Sequence, residues 1–371
     1  MGKAPAFIKD GISGGKTGTH GGKETGTHGG KETGTTAERV AGTWEATMSL
    51  KEEILYNLEC ARREDRELSG EELAGKLGVS RMAVCKAVNT LREEGVEISS
   101  RRGGGYRMAR QDLLSEGRVR AHLPGECMGL KITVYGETDS TNKRAKLFAE
   151  EGNFTGEALF VADSQTAGRG RLGRSFYSPA STGLYLSYLF SSEAPLQTLT
   201  AVTPYAAVSV AKILERYTEK KILIKWVNDL YSEGRKVCGI LTEALTSLES
   251  GGDNRVVVGI GINLNTEIFP EELSEKAGSL GCRPDRSILA AEIASQLHAF
   301  AREPWKRTFM QEYTRRSMIL GRRVVLDCWG SRTEGVAVGF DENGGLFLDT
   351  GKGEPELFTG GEISLRLSGK E

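Results

Sequence analysis

The chain has 371 residues, enough for about two or three domains, and its 38% of hydrophobic residues suffice to form buried cores. Its formal net charge of −1 excludes an overall basic surface, so any nucleic-acid binding would need a local basic patch. The six cysteines form no Cys-x-x-Cys pair, and the sequence shows neither a membrane-spanning apolar run nor a secretory signal. These features predict a cytoplasmic protein.

Residues 1–47 form a low-complexity segment rich in glycine, threonine, lysine and glutamate. A repeat of about eight residues recurs between Gly14 and Thr35. Such a composition cannot bury enough apolar surface to offset the entropy lost on ordering, so we predict a disordered tail. Two of the four histidines lie in it, but a solvated tail is favoured over a metal site. Met48, which begins the first patterned segment, is a candidate for the natural start.

Residues 48–112 predict three helices followed by a β-hairpin. Ser69 and Glu72 have the spacing of a capping box that begins the second helix, and Ser80 is the expected N-cap of the third. The short turn between these helices is typical of a DNA-binding helix-turn-helix. A three-helix module for protein contact would have the same helices, but the basic, glycine-rich hairpin favours a DNA-binding wing. The predicted DNA-contacting residues are Arg81, Lys86 and Asn89, beside Met82 on the exposed face of the third helix, and Arg101 and Arg102 at the wing tip.

Residues 128–318, within a domain predicted over 113–318, alternate strands and helices, which is the pattern of an α/β or α+β domain. Residues 319–371 have short alternating strands separated by turns, which suggests a small β-barrel. Strands are predicted over Lys131–Tyr135, Ala158–Ala162, Gly183–Phe190, Ile222–Trp226, Lys236–Glu243, Arg255–Leu264, Arg323–Asp327, Thr333–Phe340, Leu346–Asp349, Glu356–Phe358 and Ile363–Leu367. Helices are predicted over Asn142–Glu151, Val202–Tyr217, Ser287–Ala301 and Pro304–Met318.

The segment from Gln165 to Arg174 is rich in glycine and arginine. Its glycines allow a ligand to approach the backbone closely, and its three arginines concentrate donors for phosphate or carboxylate oxygens. The spacing is not that of a Rossmann fingerprint. RNA-binding Gly-Arg tracts come in long repeats, whereas this segment is a single copy between predicted strands. We therefore predict that this segment, the Gly-Arg loop (Gln165–Arg174), binds nucleotide phosphates.

Lys225 lies at the end of an apolar strand, where a charge is costly unless an anion accompanies it. It is suited to stabilise negative charge that develops on an α-phosphate. Asn228 and Asp229, which follow it, are suited to orient a ligand or to hold Mg²⁺. A lysine that extends from a strand end to solvent is the alternative interpretation of this segment taken alone.

The strand over Arg255–Leu264 has one face of large apolar residues and a second face that carries Gly259 and Gly261. A face without side chains permits close packing of a flat ligand or of another backbone, and Gly239 on Lys236–Glu243 offers the same. The hydroxyls and amide of Thr138–Asn142 suit a compact polar group such as a ureido ring. Helix capping alone is the other interpretation of Ser140 and Thr141.

Together these segments resemble the biotin–protein ligase family, specifically its bacterial class with a repressor domain. The resemblance covers residues 49–368. It implies an α+β multidomain protein: a winged helix-turn-helix over 48–112, a mixed-sheet α/β catalytic domain like those of biotin and lipoate ligases over 113–318, and an SH3-like β-barrel over 319–371. The matching segments are the winged helix, Asp139–Asn142, Gln165–Arg174, Lys225–Leu230, Lys236–Leu241, Gly259–Asn263 and the C-terminal strands that end at Gly361–Leu365.

The resemblance implies an ATP- and Mg²⁺-dependent enzyme that makes biotinyl-5′-AMP and transfers biotin to a lysine of the biotin carboxyl carrier protein, a subunit of acetyl-CoA carboxylase. The same adenylate would act as the corepressor of a homodimer that binds operator DNA. The resemblance assigns Lys225 and Arg171 to catalysis; Ser140, Thr141, Asn142, Gln165, Arg169, Gly170, Arg171, Lys225 and Gly239 to biotin; and Arg171, Arg174, Lys225, Asn228 and Asn263 to the nucleotide. Phe269 would cover the adenine, and Mg²⁺ would bind with ATP, near Asp229.

Two residues depart from the family pattern: Phe176 stands where many members have tryptophan, and Leu172 replaces a common basic residue. Three alternatives stay open from the sequence. The first is a lipoate–protein ligase. The winged helix, the C-terminal strands and the Gly-Arg loop together favour a biotin ligase over it. The second is a ligand-sensing repressor with an inactive enzyme domain, which the presence of Arg171 and Lys225 disfavours. The third is a ligase whose winged helix no longer binds DNA.

Overall fold

The computed structural model describes residues 48–101, 104–150, 154–245, 254–328 and 330–365. The tail predicted over 1–47 and the wing residue Arg102 lie outside the described residues. All the described residues fall within one compact unit, Gly42–Glu371. None of their helices combines the length and the apolar character that crossing a membrane requires.

The N-terminal segment folds as the predicted three helices and hairpin. Ser69 accepts a hydrogen bond from Glu72 N while the Glu72 carboxylate accepts one from Ser69 N, so the predicted capping box is present. Ser80 caps the third helix by accepting from Ala83 N at 3.1 Å. A separate apolar core, which includes Ile54 and Val88, holds the helices together. The elements are α1 (Leu50–Arg63), α2 (Gly70–Leu77), α3 (Arg81–Glu93), β1 (Ile98–Ser100) and β2 (Tyr106–Met108).

A short helix that the apolar pattern does not reveal, α4 (Glu116–His122), joins this segment to the rest of the chain. Arg118 on α4 is fully buried and donates to Glu59 of α1 at 3.0 Å and to Asp285 at 2.5 Å. Buried arginine is tolerated because both carboxylates and two backbone carbonyls satisfy its donors. The junction is therefore held by a buried ion-pair network, which explains why a search for apolar periodicity misses α4.

A seven-stranded mixed sheet forms the centre of the chain, in the order β3-β4-β5-β9-β8-β7-β6. Among the strands that the structure describes in this sheet, only β3 and β4 pair in parallel. The buried residues Val256, Val258, Ile260 and Ile262 of β9 face the main core, as the alternation predicts. The strands are β3 (Lys131–Thr138), β4 (Glu157–Gln165), β5 (Gly183–Ser192), β6 (Leu223–Lys225), β7 (Asp229–Ser232), β8 (Arg235–Leu245) and β9 (Asn254–Asn263).

Helices cover this sheet, and two of the predictions for this part of the chain need correction. The helix predicted over Pro304–Met318 spans only Met310–Arg316, because the residues before it form turns closed by the hydrogen bonds from Lys306 N to Glu303 O and from Met310 N to Arg307 O. Strand β7 was not predicted; it forms a hairpin with β8 through Glu233 and Gly234, both at positive φ. The helices are α5 (Thr141–Glu150), α6 (Leu196–Leu199), α7 (Val202–Leu214), α8 (Arg286–Arg302) and α9 (Met310–Arg316).

The C-terminal residues form an all-β domain, an antiparallel sheet in the order β13-β12-β11-β10-β14. Within the described residues, the edge strands β13 and β14 do not pair with each other, so a closed barrel is not observed there. Trp226 at the end of β6 donates to Gly344 O at 2.8 Å and joins this domain to the central sheet. The strands are β10 (Arg323–Cys328), β11 (Ser331–Phe340), β12 (Leu346–Asp349), β13 (Glu356–Phe358) and β14 (Glu362–Leu365).

Candidate active site

A cavity of about 790 Å³ opens on the glycine face of the central sheet. Its walls come from the start of α5, the Gly-Arg loop, the β6–β7 hairpin, β8, β9, the segment after β9 and strand β14. The residues predicted from the resemblance to contact biotin or the nucleotide all line it: Ser140, Thr141, Asn142, Gln165, Arg169, Gly170, Arg171, Arg174, Lys225, Asn228, Gly239 and Asn263. Phe269 and Asp229 line it as well.

The Gly-Arg loop is a tight turn whose backbone bonds to itself. Gly170 N donates to Arg174 O at 2.7 Å, and Leu172 takes a positive φ of 53° at the tip. Arg171 points toward the β6–β7 hairpin and donates to Asn228 Oδ1 at 3.3 Å. Arg174 pairs with Glu362 of β14, so the C-terminal domain holds one side of the loop. The loop therefore carries its arginines along the cavity wall.

Gln165 fixes the start of α5 against the end of β4. Its Oε1 accepts from Thr141 N at 2.8 Å and from Thr141 Oγ1 at 3.2 Å, while its Nε2 donates to Ser178 Oγ at 3.0 Å. The Ser187 hydroxyl of β5 lies 2.8 Å from Thr141 Oγ1. The predicted biotin contacts Gln165 and Thr141 are thus a connected polar group. Ser178 and Ser187, which complete it, were missed because no local motif marks them.

Asn142 makes its hydrogen bonds to protein groups. Its Nδ2 donates to Leu241 O at 3.3 Å and to Glu243 Oε2 at 2.9 Å, and its Oδ1 accepts from Ser187 Oγ at 2.5 Å. It lies so close to Gly259 that a Cβ there would overlap its amide. The absence of a side chain at Gly259 therefore leaves room for the Asn142 side chain. The geometry favours a supporting role for Asn142.

The remaining glycines of this face lie under the Phe176 ring. A Cβ at Gly261 would be 2.5 Å from Phe176 Cε1, and a Cβ at Gly239 would be 3.3 Å from its Cε2. The flat group that packs against the glycine face here is therefore the ring of Phe176, which follows the Gly-Arg loop in the chain. The ring is half-buried and forms part of the cavity wall.

Lys225 is half-buried in the same cavity. Burial lowers the pKa of its ammonium group below the usual 10.5, and the nearby cation Lys236 acts in the same direction, whereas Asp229 opposes the shift. The ring of Tyr231 lies 5.6 Å from the Lys225 Nζ atom, in a cation–π arrangement. Lys236 and Asp229 form an ion pair of 2.7 Å across the β7–β8 hairpin. This hairpin register, which the sequence alone did not reveal, brings Tyr231 and Lys236 to the site.

Two asparagines that were predicted to contact the nucleotide line the cavity. Asn228 Nδ2 donates to Ile240 O at 2.6 Å, which leaves its Oδ1 to Arg171. Asn263 Nδ2 donates to Gly278 O at 3.0 Å. The buried Asn263 Oδ1 has no hydrogen-bond partner among the described residues. An unsatisfied buried acceptor on a cavity wall is suited to a ligand amine donor.

The second predicted site lies on the winged helix. Arg81, Lys86 and Asn89 are exposed on α3, and Arg101 is exposed at the hairpin. Arg92, which was not predicted, connects the two elements: it donates to Asn89 Oδ1 at 3.3 Å, to Ile98 O at 2.8 Å and to Ser100 Oγ at 3.1 Å. The helix and the hairpin therefore present one connected basic surface.

Comparison with known proteins agrees with this arrangement. The model of the biotin/lipoate A/B protein ligase family matches residues 135–263, an HTH domain model matches 54–107, and the biotin protein ligase C-terminal domain model matches 319–366. The bifunctional ligase/repressor BirA of Bacillus subtilis is 32% identical over 302 residues, which are 79% of this chain and 92% of that protein. BirA of Escherichia coli is 32% identical over 310 residues, or 81% of this chain and 94% of that protein.

A solved structure gives the same result for the catalytic part. The biotin protein ligase from Aquifex aeolicus in complex with biotin and ATP superposes with a TM-score of 0.52 at 32% identity, and the match covers 64% of this chain and 99% of that one. The share left uncovered is consistent with the additional helix-turn-helix domain. The chain belongs to the biotin–protein ligase family, in the group of bifunctional ligase/repressors that carry an N-terminal helix-turn-helix domain.

Proposed function

We propose that this chain joins biotin to ATP and then to a carrier protein. In the first step a biotin carboxylate oxygen attacks the α-phosphorus of ATP, pyrophosphate leaves, and biotinyl-5′-AMP forms. In the second step the amine of a lysine on the biotin carboxyl carrier protein of acetyl-CoA carboxylase attacks the mixed anhydride, loses a proton, and AMP leaves. The observation that carries the proposal is that Arg171, Lys225 and Asn263 line one cavity.

Lys225 is the residue we assign to electrostatic catalysis. Its ammonium group lies in a partly desolvated wall, where a fixed positive charge stabilises the charge developing on a phosphate more strongly than it would in water. Arg171 lines the same cavity, hydrogen-bonded to Asn228, and its guanidinium is suited to hold the adenylate. Retention of the adenylate in the cavity would protect the anhydride from hydrolysis.

The two substrates occupy opposite ends of the cavity in this proposal. The group formed by Gln165, Thr141 and Ser140 offers hydroxyl and amide contacts for the ureido ring of biotin. Asn263 offers its free Oδ1 to the adenine amine, and Phe269 covers the base. Arg169, Gly170 and Arg174 would complete the loop contacts, with Arg169 and Gly170 toward biotin and Arg174 toward the nucleotide.

Magnesium enters this site with ATP. The carboxylates that line the described cavity are Asp229 and Glu362, and each already pairs with a cation, Lys236 and Arg174 respectively. Mg²⁺ keeps several waters and is commonly bound through substrate phosphates with few protein ligands, so this donor set fits an ion that the nucleotide holds near Asp229. The bound ion would neutralise phosphate charge.

The second activity we propose is repression of biotin genes in the cytoplasm. The connected basic surface of α3 and the wing would bind one half-site of an operator, and a homodimer would bind both halves. Biotinyl-5′-AMP would act as corepressor by favouring the dimer, and linkage requires the dimer to favour the adenylate equally. The exposed residues that support this proposal are Arg81, Lys86, Asn89 and Arg101.

We further propose the domain boundaries that the sequence suggests, namely 1–47, 48–112, 113–318 and 319–371. The last domain is proposed to be an SH3-like barrel. The support for closure is that the outer strands β13 and β14 flank one five-stranded antiparallel sheet, and a twisted sheet of this size tends to curl.

ATP-dependent labelling of a carrier domain by biotin, with lipoate as competitor, tests the ligase proposal. Wild type should label the carrier with biotin and be indifferent to lipoate, whereas lipoate transfer would support a lipoate ligase. Lys225→Ala should abolish labelling; unchanged labelling would reject its assigned role. Arg171→Gly should release the adenylate and label bystander lysines. Absence of biotin transfer under every carrier and metal condition would overturn the proposal and leave a ligand-sensing repressor.

Operator binding is tested separately with the same protein. Duplexes selected from a random library should bind more tightly when biotin and ATP are present. A chain that labels the carrier but selects no duplex would be a ligase whose winged helix does not bind DNA.

A further inference from the structure

Met82 is the most exposed large apolar side chain of the described residues, with 81% of its surface accessible. It is the second residue of α3. The core side of that helix consists of Val84, Val88 and Leu91, all of them buried. Met82 projects from the opposite side and does not contribute to the core. Single exposed apolar side chains are ordinary on protein surfaces, and Ile268 is as exposed at 80%, so the role of Met82 depends on its position on the helix.

The neighbours of Met82 define the surface to which it belongs. Cys85, Lys86 and Asn89 follow it by three, four and seven residues, so they share its face of the helix, and all are exposed. Cys85 is too small to cover the methionine. Met82 is therefore an apolar group at the N-terminal end of a polar face, which is the part of a recognition helix that contacts base edges.

The edges of bases in the major groove present hydrogen-bond donors and acceptors and one apolar group, the 5-methyl of thymine. A long, flexible and polarizable thioether side chain is suited to pack against that methyl group. The cations Arg81 and Lys86, on either side of Met82, would bind phosphates and hold the helix in the groove. We propose that Met82 reads one thymine methyl group in each operator half-site. The proposal rests on the repressor function proposed above.

The experiment combines a change in the protein with the removal of one methyl group from the DNA. Duplexes are first selected from a random library by the full-length protein in the presence of biotin and ATP. Each thymine of the selected duplex is then replaced by deoxyuridine at symmetric positions in both half-sites. Dissociation constants are measured at fixed salt for wild type, Met82→Ser and the matched control Lys86→Ala.

For wild type, deoxyuridine at one symmetric pair of positions is expected to weaken binding by about fourfold per half-site, the effect of burying one methyl group. In Met82→Ser the same replacement is expected to have no effect, because the contact is already absent. Lys86→Ala is expected to bind all duplexes more weakly, with a shallower salt dependence, and to keep the deoxyuridine penalty. The midpoint of thermal unfolding of Met82→Ser should match that of wild type.

A deoxyuridine penalty of the same size in Met82→Ser and wild type would overturn the proposal, as would the absence of any sensitive position in wild type. Neither result would contradict the repressor function, because selection of a duplex already shows that the protein binds DNA. Selection of no duplex at all would instead reject the repressor function, and this inference with it.

Discussion

Replacement of Gly261 by alanine is expected to drive the Phe176 ring into the cavity and weaken biotin binding. The new Cβ would lie 2.5, 2.8 and 2.9 Å from three atoms of that ring, all closer than van der Waals contact permits. The backbone cannot yield easily, because Gly261 lies on a central strand with Tyr185 and Gly239 paired on either side. The ring must therefore move away from the sheet, and that direction is the cavity.

The magnitude follows from the cost of overpacking, which is about 1–3 kcal/mol for an added methyl group in a well-packed site. If biotin must push the ring back against this cost, its KM should rise by roughly 5- to 150-fold. Gly239→Ala adds a methyl group to the same face as a control: its Cβ would approach the Phe176 ring only to 3.3 Å and the flexible end of the Lys236 side chain to 3.1 Å. That variant should raise the KM for biotin by much less.

The assay is biotin-dependent exchange of pyrophosphate into ATP, which reports adenylate formation without the carrier. A second change, Phe176→Leu, removes the clash, so Gly261→Ala should raise the KM much less in that background than in wild type. An unchanged KM in Gly261→Ala, or an equal effect in the two backgrounds, would refute the reasoning that the ring covers this glycine.

Further outcomes are expected at Lys225, at the Arg118–Glu59 pair and at Asn263. In Lys225→Gln the rate of adenylate formation should fall by about 10²–10³-fold. In wild type, this rate depends on the charged form of Lys225, so it should fall as pH rises through the pKa of that lysine, which lies below the usual 10.5. A pH–rate profile measures this loss. Arg118→Met should lower the free energy of unfolding by about 1–3 kcal/mol in urea titration, because the buried carboxylates of Glu59 and Asp285 lose this partner while Glu59 keeps Arg62 and His122. Burial raises the pKa of the Glu59 carboxyl, but hydrogen bonds from neighbouring cations lower it, and the net result lies below the usual 4.5. The stabilisation that ionised Glu59 gives the folded state is therefore present above pH 4.5 and is lost as pH falls through the lowered pKa. Asn263→Ala should raise the KM for ATP with little effect on that for biotin, as initial-rate measurements would show.

Local signals in the sequence were sufficient for much of the fold. The capping box of Ser69 and Glu72 and the N-cap at Ser80 depend on residues three apart, so they are visible without tertiary information. The alternation of apolar residues over Arg255–Leu264 likewise predicted a strand with one buried face. Where apolar patterning was replaced by charge, as in α4 with its buried arginines, prediction failed.

The candidate site was predictable as a set of residues but not as a network. Glycine and arginine spacing indicated a ligand-binding loop. The ion pair between Arg174 and Glu362 could not be predicted in this way, because it joins residues 188 apart in the sequence. The approach of Tyr231 and Lys236 to Lys225 depends on a hairpin register, and the Phe176 ring reaches Gly261 only because the loop folds back. No local pattern encodes such contacts, which arise when separate strands pack together.

The junction between the winged helix and the catalytic part constrains how a corepressor would act. Arg118 bonds Glu59 of α1, and Arg286 bonds Asp112, at the end of the winged-helix segment, and Asp163 of β4. Arg118 and Glu59 are both fully buried, so a hinge motion that separated them would break a desolvated ion pair at a cost of several kcal/mol. A corepressor effect is therefore better explained by association of two copies, which changes DNA affinity while each junction stays intact.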